Sequence, residues 1–267
     1  QWAPAMRVGA IAGTSALRNG LLSTAMCLLL VIAARGLLSL VLMRHGIRAL
    51  SDDDYSRVVI AQSFVEQPAF DPSNTSWLPF PFWLYGTCMA CCGGTLAAAR
   101  VIGFIVGLCS TAVLWAAARL LGISRAASTF GTLIALAIPY SAWLGLATTP
   151  DVYSAALILF SCATLTRTQV SLRLLGSLAL AIASLSRYEA WPVAIIWTAF
   201  NTMDAARSRR WRYAWLALVG LVPPAVWLWH GVAAHGDAFF FVERVASYQR
   251  ALGAARSSAT TRLISTP

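Results

Sequence analysis

Apolar runs of about 20 residues recur along the chain, each long enough for a helix to cross ~30 Å of hydrocarbon. The clearest are Leu21 to Met43, Ala99 to Leu120, Ala127 to Leu146 and Tyr213 to Val232. Membrane-spanning strands would be shorter and would alternate polar with apolar residues, and these runs do not. Shorter runs lie at Val152 to Leu165, Leu174 to Leu185 and Trp191 to Asn201. Only 11% of residues are charged, against roughly a quarter in a soluble domain. The expectation is an all-α polytopic membrane protein, one domain over 1–267 with about seven transmembrane helices. Pro139, Pro223 and Pro224 fall inside these runs, as in membrane proteins whose helices line a cavity.

The formal charge is +10, and the basic residues are all arginine. They cluster between apolar runs, which fits the positive-inside rule and argues against a nucleic-acid surface. With a cytoplasmic N-terminus, one set of turns carries Arg7, Arg18, Arg119, Arg125, Arg167, Arg173, Arg207, Arg209, Arg210 and Arg212. Their only acidic companion is Asp204. The other acids, Asp52, Asp53, Asp54, Glu66, Asp71, Asp151, Glu189, Asp237 and Glu243, then share the outer side with a matching set of arginines. Arg35 lies deep in the first apolar run, a costly place unless it faces protein or snorkels.

This orientation needs a first outer loop over 44–98 that does not cross the membrane. Asp54 to Gln67 places Tyr55, Val58, Val59, Gln62 and Val65 near one helical face, predicting a helix on the membrane surface. Trp77-Leu78-Pro79-Phe80-Pro81-Phe82-Trp83-Leu84-Tyr85 follows, an aromatic, proline-bearing interfacial segment. A polar tail over 235–267 is placed on the same outer face.

Three features that could carry chemistry converge there. Asp52, Asp53 and Asp54 are adjacent carboxylates, whose mutual repulsion favours a raised pKa and a general-base role. The alternative is a solvated loop capping the next helix. Thr149-Pro150-Asp151 opens another span, where Asp151 is also a natural helix cap. Ser186-Arg187-Tyr188-Glu189-Ala190 breaks an overlong apolar stretch. Ionisable residues at such depth are functional by default, the alternative being an Arg187–Glu189 structural pair. Arg100 sits at the outer end of its span, in reach of a phosphate.

Cys88, Cys91 and Cys92 form a C-x-x-C-C group that no histidine completes as a metal set, so they read as small helix residues. His230 and His235 flank the last span and read as interfacial. No H-E-x-x-H, P-loop or G-x-G-x-x-G pattern is present.

In this order the motifs resemble the GT-C superfamily of membrane glycosyltransferases. The nearest likeness is to the bacterial group related to protein O-mannosyltransferases and aminoarabinose transferases of lipid A. The elements that carry it are Asp52-Asp53-Asp54, Trp77-Leu78-Pro79, Arg100, the Arg119 to Arg125 turn, Pro150-Asp151 and Arg187-Tyr188-Glu189. The familiar Asp-Glu pair is here an aspartate triplet, and Leu78-Pro79-Phe80-Pro81 replaces a His-Pro-Pro segment. Members of the superfamily usually continue past a seven-helix core, so acceptor-recognition elements are expected beyond Pro267 or on a partner.

The resemblance implies an inverting transfer of a sugar from a polyprenyl-phosphate donor to a hydroxyl of a glycan, lipid or protein acceptor. The site would face the exterior or periplasm, in a bacterial inner membrane. Asp53, or else Asp52 or Asp54, would be the base. Arg100 and Arg187 would hold the phosphate, with Asp151, Tyr188, Glu189 and Trp77 as further substrate-binding residues. Magnesium or manganese would be the metal, though some members need none. A lipid or small-molecule transporter, or a non-catalytic assembly subunit, are the rival readings. A transporter of this kind would carry paired repeats, which the chain lacks.

Overall fold

The computed structural model describes residues 6–47, 49, 51–209 and 211–251, with side chains from Gly20 onward. Arg48, one of the arginines expected on the outer side, lies outside the described residues with Arg210 and the tail past residue 251, as do the side chains of Arg7 and Arg18.

The described residues are helical, without strands. In order they form α1 (Met6–Arg44), α2 (Asp52–Glu66), α3 (Phe80–Cys92), α4 (Leu96–Leu120), α5 (Arg125–Ala137) and α6 (Pro139–Leu144). Then come α7 (Asp151–Thr164), α8 (Val170–Ser184), α9 (Ala190–Ser208) and α10 (Arg212–His230), which runs into a π-helical turn, Gly231–His235. A further helical stretch covers 240–251. Three segments are long and apolar enough to cross a membrane: Gly20–Arg44, Leu96–Leu120 and Arg212–His235. They mark the chain as a membrane protein. Their outward faces carry Leu21, Leu29, Leu37, Val101, Ile105, Trp215 and Trp229, a surface compatible with lipid.

The helices follow the expected runs closely. The 127–146 run is broken, because Pro139 cannot continue α5 and instead opens α6. Helix α3 has 13 residues, about 20 Å at 1.5 Å per residue, too short to cross. Neighbours pack in the order α5, α1, α4, α7, α8, α10, α9, and α3 lies between α2 and α4. Trp197, Leu180 and Tyr213 anchor the core where α8, α9 and α10 meet.

Arg35 faces protein. It is 1% exposed, and donates to the carbonyls of Ser141 and Ala142, each at 3.2 Å. Those carbonyls belong to the last turn of α6, where the helix dipole favours a cation. Gly145 makes the slot: a Cβ there would fall inside the guanidinium.

One end of the molecule gathers the arginine-rich turns. Arg167 donates to the Leu120 carbonyl at 2.6 Å, and Arg125 to that of Gly20 at 2.7 Å. Arg173 is not a solvated turn residue but 4% exposed. It pairs with Asp204 at 2.7 Å, donates to Asn201 Oδ1 at 3.0 Å and lies over the Tyr213 ring.

Candidate functional site

The opposite end brings together the start of α2, the loop before α3, the start of α7 and the break between α8 and α9. Helix α2 sets the arrangement. Its buried face is Asp54, Arg57, Val58 and Ala61, at the i, i+3, i+4, i+7 spacing of one helical side. This differs from the expected apolar face, since Tyr55 and Val59 are exposed. The reason is Asp54, which the loop before α7 draws inward. Asp54 Oδ1 accepts from the Thr148 backbone N at 2.6 Å and from Thr148 Oγ1 at 2.8 Å. Thr148 Oγ1 also lies 3.0 Å from the Asp54 carbonyl oxygen. A carboxylate this enclosed and this well hydrogen-bonded ties the start of α2 to the loop before α7.

The three aspartates therefore have three different fates. Asp54 is fully buried, Asp52 is exposed and outside the cavity lining, and Asp53, also exposed, borders a cavity of about 240 Å³. Arg57, Ser76, Trp77, Leu78, Ser186, Arg187, Tyr188, Glu189 and Val245 form the rest of its wall. Of the nine residues expected at the site, Asp53, Trp77, Arg187, Tyr188 and Glu189 meet here. Asp151 stands just behind, 3.4 Å from Arg187 Nη1, and borders a second cavity that also touches Arg35.

Arg187 is held from two sides. It donates to both Glu189 oxygens, at 3.1 and 2.7 Å, and Asp151 approaches its third nitrogen. The Arg187–Glu189 pair read as the structural alternative thus exists, on the cavity wall. Tyr188 donates to the Ser76 carbonyl at 2.9 Å and accepts from Trp227 Nε1 at 3.1 Å. Burial pushes its hydroxyl well above the usual tyrosine range.

Arg57 is the cation that sequence reasoning missed. It is 8% exposed, and its guanidinium lies 4.4 Å from the Trp77 ring centre and 5.8 Å from that of Phe82. Among the described residues no acid forms an ion pair with it. Burial lowers its pKa, while Tyr153, Asp53 and Asp151 oppose that shift. The signal was present: Arg57 follows Asp54 by three residues and so shares its helical face. Arg100, expected at the phosphate, does not border this cavity. It lies one turn into α4, with its guanidinium 5.5 Å from the Tyr55 ring centre.

An apolar groove of about 450 Å³ runs beside the polar cavity along α3, α4 and α7. Phe80, Leu84, Cys88, Ile102, Val106 and Tyr153 are among its lining. Tyr153 joins the two spaces, since its hydroxyl lies 3.2 Å from the oxygen of Ser186, a wall residue of the polar cavity.

The acid triplet does not assemble a metal set. Among the described residues the one convergent group of three such donors is Asp71, His230 and His235, away from the triplet. Asp54 is turned to Thr148, so magnesium or manganese finds no shared cradle among the three aspartates. The six cysteines are free. No family model, curated protein or solved structure matches the chain.

Proposed function

We propose that the chain is a membrane glycosyltransferase that moves a sugar from a polyprenyl-phosphate carrier to an acceptor hydroxyl, with inversion. The observation that carries this reading is one polar cavity bordered by a carboxylate, Asp53, and two arginines, Arg57 and Arg187. Asp53 is the base that takes the acceptor proton. Arg57 holds the departing phosphate, because among the described residues no acid forms an ion pair with its guanidinium. Arg187, oriented by Glu189 and Asp151, stabilises the same developing charge. Trp77 and Tyr188 give the sugar a flat wall. The volume suits a phosphate and a single sugar ring better than a long glycan, being below the usual drug-sized range.

The apolar groove supports a lipid-linked donor. Its lining is suited to a prenyl chain, and Tyr153 marks where the chain would meet its phosphate. In this reading α1, α4, α5 with α6, α7, α8, α9 and α10 each cross the bilayer, giving about seven spans. The arginine-rich end is cytoplasmic, and the cavity opens to the exterior or periplasm. The acceptor, whether glycan, lipid or protein, approaches from that side.

The test is transfer from a radiolabelled polyprenyl-phosphate sugar by purified protein in lipid nanodiscs. Asp53→Asn is expected to lower turnover by about 10²–10⁴-fold, the range for removal of a general base. Asp52→Asn, at a residue that does not line the cavity, leaves turnover within about twofold. Full turnover by a folded Asp53→Asn variant sinks the assignment.

A further inference from the structure

We infer that Asp71, His230 and His235 bind a divalent first-row transition metal, with zinc the reference probe. The proposal is independent of the transferase reading. Asp71 Oδ2 lies 3.7 Å from His230 Nε2 and 3.9 Å from His235 Nε2. The three atoms all lie within 4.8 Å of one another. Each is buried and has no hydrogen-bond partner among the described residues. Buried polar atoms are normally satisfied, so three orphans facing one point call for an occupant.

The spacing identifies that occupant. These separations are too long for hydrogen bonds between the groups themselves. Two ligands at about 2.1 Å from a tetrahedral ion stand roughly 3.4 Å apart. The two carboxylate–imidazole separations exceed that spacing by roughly 0.3–0.5 Å, so closing of the three side chains toward one point would bring them onto one ion. Two imidazoles with one carboxylate suit zinc, cobalt or nickel, whereas calcium and magnesium take oxygen ligands. Three protein ligands leave a fourth position for water.

The local fold is built to present these atoms. On an α-helix, residues five apart diverge by about 140°. The π-helical turn Gly231–His235 widens the winding and brings His235 back beside His230. Gly231 admits the returning chain, since a Cβ there would meet the carbonyls of Asp237 and Ala238 at 2.7 and 3.0 Å. Asp71 Oδ1 accepts from Ser73 Oγ at 3.1 Å and from the Asn74 backbone N at 3.0 Å. That fixes the carboxylate and leaves Oδ2 for the ion, the kind of outer-shell support metal ligands receive. Phe70 packs edge-on to His230, and Phe240 stacks on His235 at 4.1 Å, shielding the cluster.

The ion would pin the 67–79 loop to the end of α10. Ser73 reaches the Trp77 carbonyl at 3.3 Å, so the site also positions the aromatic wall of the polar cavity.

The experiment is metal analysis of full-length protein purified in detergent through a histidine-free affinity tag, after equilibration with micromolar zinc and washing. About one zinc per chain is expected. His45→Ala, which alters the remaining histidine, retains it. Asp71→Asn, His230→Ala and His235→Ala each fall below one-tenth of that occupancy while eluting as monodisperse protein. Cobalt substitution separates this site from the cysteines: visible bands without a sulfur charge-transfer band are expected. Zinc absent from the wild-type chain, zinc retained by the ligand variants, or a sulfur charge-transfer band would each overturn the proposal. If a ligand variant fails to fold, the cobalt spectrum of the wild-type chain still decides.

Discussion

Replacing Gly145 by alanine tests the Arg35 slot directly. Gly145 has φ −77° and ψ −1°, a conformation that alanine adopts freely. On backbone grounds alone the change would be neutral or stabilising by about 0.4–1 kcal/mol. The structure reverses that sign. An alanine Cβ would occupy the place of the Arg35 guanidinium, forcing it away from the Ser141 and Ala142 carbonyls. Two hydrogen bonds from a buried cation are worth about 1.5–3 kcal/mol each, so the loss is about 3–6 kcal/mol. At about 2–4 °C per kcal/mol for a chain of this size, Tm should fall by on the order of 10 °C. The assay is thermal unfolding in a fixed detergent, run as a cycle with Arg35→Leu. Once the arginine is gone, Gly145→Ala should cost nothing or stabilise, giving a coupling energy of about 3–6 kcal/mol. A Gly145→Ala protein that melts with the wild type, or two effects that simply add, would refute the slot.

Thr148→Val removes the hydroxyl that donates to Asp54 Oδ1 and should lower stability by about 1–3 kcal/mol. Asp54→Asn should produce a similar loss, and the double variant little more, as read from melting curves. At the arginine-rich end the two partners of one ion pair should behave unequally. Arg173→Met strands Asn201 Oδ1 and the carbonyls of Arg167 and Leu165, costing about 3 kcal/mol or more. Asp204→Asn, on a side chain 40% exposed, should cost under about 1 kcal/mol in the same assay. Tyr188 predicts an alkaline limit. Its pKa is raised in the folded chain, so above the ordinary tyrosine value near ~10 the unfolded chain has lost a proton that the folded chain keeps. Stability therefore falls as pH rises past that point, and Tyr188→Phe should flatten the fall in melts taken between about pH 9 and 11.

Much of the helix layout was legible because apolar length is a local property. The starts and ends of α4, α7, α8 and α10 lie within a few residues of the runs that predicted them. The meeting of Asp53, Trp77, Arg187, Tyr188 and Glu189 was anticipated from their shared side of the chain. The rotation of α2 was not, because apolar side chains would have turned Tyr55 and Val59 inward. Asp54 overrides them through a partner 94 residues away, and no local pattern announces such a bond. Arg57 was hidden for the same reason. The histidine pair read as interfacial because its third member, Asp71, lies in a distant loop, and because a π-helical turn has no simple signature in the residues that form it.

The bond between Arg35 and Ser141 also orders events in time. Its partners are 106 residues apart in the chain. At about 5–20 residues per second, the first helix waits roughly 5–20 seconds before its acceptors are synthesised. Through that interval α1 carries a guanidinium without the Ser141 and Ala142 carbonyls, at a depth where a lone charge is costly. The helix must linger beside the insertion machinery, or lean its arginine toward the headgroups, until α6 arrives. Completion of the third long apolar run, 127–146, then supplies the carbonyls that let α1 bury its arginine against protein.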